Sequence, residues 1–185
     1  EVAQQKIGFF DTFDAFWIAP GPYLNPFFLN GIFSRLSQLN KPVLVTGEAF
    51  KLYLDFIIAK KGMNSAGEKL ISDNLVTGPY FESIHVVPKS KAFKKLYEHF
   101  TTNELSAVRY RLYPNLILDL VENQVEIEAV NQFDDPEALS IKTHVFFLVI
   151  SYYPQVSSTR DIPHPVVYTF VKAALAHQQG TQSPR

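Results

Sequence analysis

Five short apolar runs punctuate the chain, and the segments between them repeat every three or four residues. The runs are KIGFF (6–10), PVLVT (42–46), SIHVV (83–87), NLILDL (115–120) and HVFFLVI (144–150). None is broken by polar alternation, which is how strands buried on both faces read. In NPFFLNGIFSRLSQLN, residues Phe28, Ile32, Phe33, Leu36 and Leu39 make one apolar stripe, with Arg35 and Gln38 turned outward. EAFKLYLDFIIAKKG carries Phe50, Leu54, Ile57 and Ile58, then Lys60, Lys61 and Gly62, a helix-stop signature. SKAFKKLYEHF, NQVEIEAVNQF and HPVVYTFVKAALAHQQ supply three further helix candidates, the last with Pro165 near its first turn. Strand and helix in alternation predict an α/β fold: a doubly wound, mostly parallel sheet of about five strands with helices on both faces.

The length of 185 residues suits one domain with a real core. No linker-like stretch divides it, so residues 1–178 read as one domain without a large cap and 179–185 as a flexible polar tail. Residues 62–82 have weak periodicity and read as a loop or small excursion. A net charge of -1 gives no reason to expect nucleic acid or an anionic membrane as partner. No apolar run reaches the roughly 18 residues that span a bilayer, and the start of the chain shows no signal-peptide pattern. A soluble, cytoplasmic protein is the expectation. With no cysteine, thiolate zinc sites, disulfides and cysteine nucleophiles are excluded.

In an open parallel sheet, ligands bind beyond the carboxyl ends of the strands. The polar residues that follow the apolar runs are Asp11 and Asp14, Thr46, Lys89, and Glu122 with Glu126. A carboxylate can act as nucleophile or metal ligand, a lysine can neutralise an anion, and a threonine can hydrogen-bond a phosphoryl oxygen. Each also has a plainer reading. Asp11 and Asp14 suit helix caps, Thr46 a helix start, Lys89 a basic face with Lys91, Lys94 and Lys95, and the two glutamates a solvated surface. DDPEA (134–138) reads as a solvent turn. The five histidines show no metal-ligand spacing. Trp17 with Phe13, Phe16 and Tyr23 suits core packing, or an apolar pocket over Asp11.

In this order the segments resemble the haloacid dehalogenase-like (HAD) superfamily over roughly residues 6–150. GFFDTFDAF is similar to its first motif, with Asp11 in the nucleophile position. PVLVT ends in Thr46 as the second motif does. VVPKSKAFKKLYEHF resembles the third, with Lys89 as its lysine. LILDLVENQVEIEAVNQF resembles the fourth, with Glu122 and Glu126 in its two acidic positions. The chain departs from the pattern at Phe13, where the family's phosphatases carry a second acid, at Ala15, and at Val121-Glu122, where Gly-Asp is usual. The resemblance implies a hydrolase of the phosphatase type acting on a small phosphorylated or activated substrate. Asp11 would be the nucleophile, Thr46 and Lys89 would hold the transferred group, and Asp11 with Glu122 or Glu126 would bind Mg2+. The alternative it leaves is a catalytically inactive HAD-like domain that serves as a binding or scaffold module with a protein partner or as a homo-oligomer. A receiver-like signalling domain is a third reading, and it leaves the acids after the fourth run unexplained.

Overall fold

The computed structural model describes residues 8–63, 70–72, 81–107 and 110–182. Among these, six strands form one sheet in the order β1-β2-β8-β7-β6-β4. They are β1 (Phe16–Ile18), β2 (Val43–Thr46), β4 (Val87–Pro88), β6 (Val125–Val130), β7 (Pro136–Ile141) and β8 (Phe147–Ile150). β1, β2 and β8 run parallel, whereas β8–β7, β7–β6 and β6–β4 pair antiparallel. A separate antiparallel pair joins β3 (Glu82–His85) to β5 (Asn103–Ser106).

Side chains on successive strand residues point to opposite faces, so each buried strand feeds two cores. Val43, Val45, Phe147 and Val149 face the first core. Helices α1 (Phe27–Leu36), α2 (Ala49–Lys61) and α4 (Pro114–Glu122) cover it with Phe33, Leu54, Leu116 and Leu120. Leu44, Leu148 and Ile150 face the second core, covered by α3 (Lys91–Leu96) and α6 (Pro165–Gln182) through Phe93, Val166 and Phe170. Between β8 and α6 lies the single-turn α5 (Pro154–Ser157). α2 stops as its sequence predicts. Gly62 takes φ +66 and its N–H bonds the Ile58 carbonyl.

The architecture is α/β, but it is not the five-stranded HAD-type sheet. The run at 6–10 does not supply the first strand. Residues 6 and 7 lie outside the described residues, and Phe9–Thr12 is a 3₁₀ turn. The strand begins at Phe16, at the sheet edge instead of its centre. NLILDL is helix α4: Pro114 starts it, and Leu116 and Leu120 are buried four apart while Leu118 is exposed. Six residues with so few polar breaks fit either period, and here the proline and the i, i+4 burial mark the helix. The segment read as the next helix holds β6, whose Val125, Ile127 and Val130 are β-branched. The turn expected at 134–138 is partly strand, since β7 begins at Pro136. SIHVV forms β3 and the start of β4 in two different sheets. Most of the excursion at 62–82 and the end of the tail lie outside the described residues, while α6 continues through Gln182.

Candidate functional site

β2 is buried along its whole length and leads through a tight turn directly into α2. The apex is Gly47, buried and held at φ +62, a conformation that strains any side chain with a Cβ. Its N–H bonds the Ile150 carbonyl at 3.1 Å, and its own carbonyl accepts the Phe50 N–H at 2.9 Å. Such a strand–turn–helix elbow is where α/β hydrolases present a nucleophile above the sheet. Gly47 presents none.

The space over the apex is also occupied. A Cβ on Gly47 would stand 2.9 Å from Pro20 Cβ and 3.0 Å from Tyr153 Cζ. Tyr153 follows β8, is nearly buried, and packs edge-to-face on Phe81 at 5.0 Å. Burial first, and then the Glu48 carboxylate close by, holds the Tyr153 hydroxyl well above its usual pKa. Glu48 itself accepts the Gly21 N–H at 3.1 Å. The same carboxylate acts on two more phenols: burial first and Glu48 second push Tyr23 up to about 12 and raise Tyr110. The elbow is thus roofed by the Pro20 and Tyr153 rings, and one carboxylate, Glu48, raises three phenols around it.

The candidate residues that follow the apolar runs are dispersed over the fold. Asp11 is exposed in the 3₁₀ turn, and Lys41 Nζ, just before β2, gathers the carbonyls of Phe10, Asp11 and Phe13. That is the opposite end of β2 from Thr46. Thr46 is fully buried; its hydroxyl accepts the Trp17 Nε1–H at 3.0 Å and faces the Ile18 carbonyl, tying β2 to β1. Lys89 follows β4 at the far edge of the sheet and pairs with Asp134 at 3.2 Å on the surface. Five strand spacings of about 4.8 Å place it on the order of 24 Å across the sheet from β1. Glu122 ends α4 and Glu126 lies on β6 opposite Ser140. Asp14 faces His177 of α6 at 3.3 Å. No three His, Asp or Glu side chains gather as a metal site among the described residues.

No family model matches the chain. It is 26% identical over 134 residues to the CTP synthase of Caldivirga maquilingensis, covering 71% of this chain and 23% of that protein. It is 29% identical over 89 residues to the CTP synthase of Neorickettsia sennetsu, covering 47% of this chain and 16% of that protein. The chain therefore spans less than a quarter of the length of these curated relatives. Among solved structures, the glutaminase domain of Trypanosoma brucei CTPS with bound acivicin superposes with a TM-score of 0.70 at 17% identity. That match covers 88% of this chain and 71% of the other. A Thermoplasma acidophilum protein assigned as a GMP synthase subunit superposes with a TM-score of 0.61 at 12% identity, covering 94% and 78%.

The chain therefore shares its fold with the glutaminase domain of Trypanosoma brucei CTPS. The HAD resemblance is overturned, and with it the phosphatase reading, its Mg2+ site, and the inactive HAD-like module. The likeness has a physical origin. An apolar run followed by Asp looks like a strand leading to a nucleophile, but the strand lies after the aspartate. The elbow has a sequence signal of its own: the apolar VLVT, then Gly47, then a helix start. Pro20 and Tyr153 have none, because only the folded chain brings them to Gly47. Among the described residues, no helix is long and apolar enough to cross a membrane.

Proposed function

We propose that this chain is a glutaminase-type domain, related to that of CTP synthase, whose elbow is closed to covalent amide hydrolysis. The likeness in sequence to CTP synthases and in fold to a CTPS glutaminase domain supports the first half. The filled apex at Gly47 carries the second. Covalent hydrolysis of an amide needs a nucleophile activated by a base within hydrogen-bond reach. The chain has no cysteine, and the apex has no side chain. Three histidines are engaged elsewhere: His164 is buried against Glu104, His144 meets the Leu39 carbonyl, and His177 faces Asp14. The domain then serves a CTP-synthase-type partner without releasing ammonia from glutamine itself.

The test is ammonia release from amide-labelled glutamine by the purified chain. Release no faster than in buffer is expected. Turnover that scales with protein concentration overturns the reading. Gly47→Cys by itself is expected to restore nothing, because its Cβ would collide with Pro20 and Tyr153.

A further inference from the structure

A cavity of about 360 Å³ opens on the second face of the sheet, away from the elbow and near the N-terminal end of β8. That size falls within the range of small-molecule sites. Phe93 and Leu96 of α3, Phe146 and Leu148 around the start of β8, and Val166 of α6 form apolar walls. One acid stands among them. Glu128 lines the cavity and is itself more than nine-tenths buried.

The backbone is built to place that acid. In the β6–β7 ladder Ile127 pairs with Leu139 and Ala129 with Ala138, so Glu128 is the extra residue of a bulge. Bulges re-aim a side chain at the expense of regular pairing. The Glu128 carbonyl accepts the N–H groups of Lys89 and Ser90, which fixes the bulge to the start of α3. Its carboxylate accepts the Ser140 hydroxyl at 2.6 Å on one oxygen and the Ser90 hydroxyl on the other. Two hydroxyls hold the group in place, and neither carries charge. Lys142 and His144 also line the cavity, from the turn after β7, and no cation pairs with Glu128 among the described residues. A buried carboxylate without a cation is costly unless a partner neutralises it.

We propose that this cavity binds a small organic cation, an amine or guanidinium on an apolar body, with Glu128 as its counter-ion. Phe93 and Phe146 supply the aromatic surface that favours such a cation over a neutral molecule of the same shape. The site is separate from the elbow, so it stands or falls apart from the amide-hydrolysis reading.

The experiment titrates the whole chain with phenethylamine, phenethyl alcohol and 3-phenylpropionate, following backbone amide shifts by NMR. Saturable binding of the amine is expected, at least tenfold tighter than the alcohol, with shifts centred on α3, β6 and the start of β8. Glu128→Gln keeps the shape and is expected to bring the amine down to the alcohol's affinity. Ala92→Trp, an exposed position at the cavity lining, is expected to weaken both without touching the core. Equal affinity for amine and alcohol, preference for the carboxylate, no saturable binding, or an amine preference that survives Glu128→Gln each overturns the proposal.

Discussion

The two faces of the main sheet are made by alternate residues of the same strands, yet they bury different chemistry. The face under α1, α2 and α4 is a continuous apolar core in which the Phe33, Tyr53, Phe56 and Phe147 rings pack against one another edge-to-face or tilted. The face under α3 and α6 encloses buried acids as well as apolar side chains. There Glu104 and His164 are both fully buried and meet at 2.8 Å. The Val166 N–H donates to His164 Nδ1, which leaves Nε2 as the donor to Glu104. Tyr97 donates to the same carboxylate oxygen at 2.9 Å and is in turn bonded by Tyr152 at 2.7 Å. These four side chains fasten β5, the end of α3, the end of β8 and the start of α6. One face holds by shape alone, and the other also by direction, because each hydrogen bond fixes an angle as well as a distance.

The difference can be tested where it is largest. Phe33→Ala is expected to cost about 3–5 kcal/mol in a denaturant titration, by lost burial and the cavity left behind. Glu104→Ala is expected to cost a similar ~3–5 kcal/mol for another reason: it strands the Tyr97 hydroxyl and the His164 N–H without partners. A double-mutant cycle separates the causes. Glu104→Ala with His164→Ala is expected to show coupling on the order of 1–3 kcal/mol, whereas Phe33→Ala with His164→Ala is expected to be additive. Additivity in the first pair would show that the polar face holds no differently from the apolar one.

A smaller effect is expected at the elbow, where the two faces meet. Gly47→Ala puts a Cβ at positive φ against Pro20 and is expected to cost roughly 1–3 kcal/mol in the same titration. The smallest effect is graded with pH. Burial raises Tyr53 on the first face and Tyr97 and Tyr152 on the second, and burial with Glu48 moves Tyr23 to about 12. In each case the folded form keeps its proton to higher pH than the unfolded chain does. Their contribution is therefore full below the ordinary value of 10 and is lost as pH rises through the folded values. A phenolate absorbance titration alongside unfolding is expected to show Tyr23 ionising before Tyr53, Tyr97 and Tyr152, which ionise only as the fold is lost.

Several elements are legible because local rules and burial agree there. β2 and β8 are uninterrupted apolar runs. α1, α2 and α6 carry stripes at helical spacing, and Gly62 follows two lysines at the end of α2. NLILDL and VEIEAV mislead because a six-residue apolar segment satisfies strand and helix alike until its partners are known. The mixed sheet order is likewise hidden, since β7 begins inside a segment whose Asp-Asp-Pro composition suits a turn. The candidate site residues do not converge, because the apolar runs they follow are not all strands. Thr46 does end a buried strand, but its hydroxyl is spent on Trp17.

Composition and local spacing are enough to specify an α/β chain without a thiol, with a glycine directly after a fully buried strand. What that glycine means depends on residues far from it in the chain. Pro20 and Tyr153 lie 27 residues before and 106 residues after Gly47, and their contact with it depends on β1 and β8 flanking β2. The placing of Glu128 has the same origin. A bulge is a mismatch between two strands, so neither strand's sequence alone can display it.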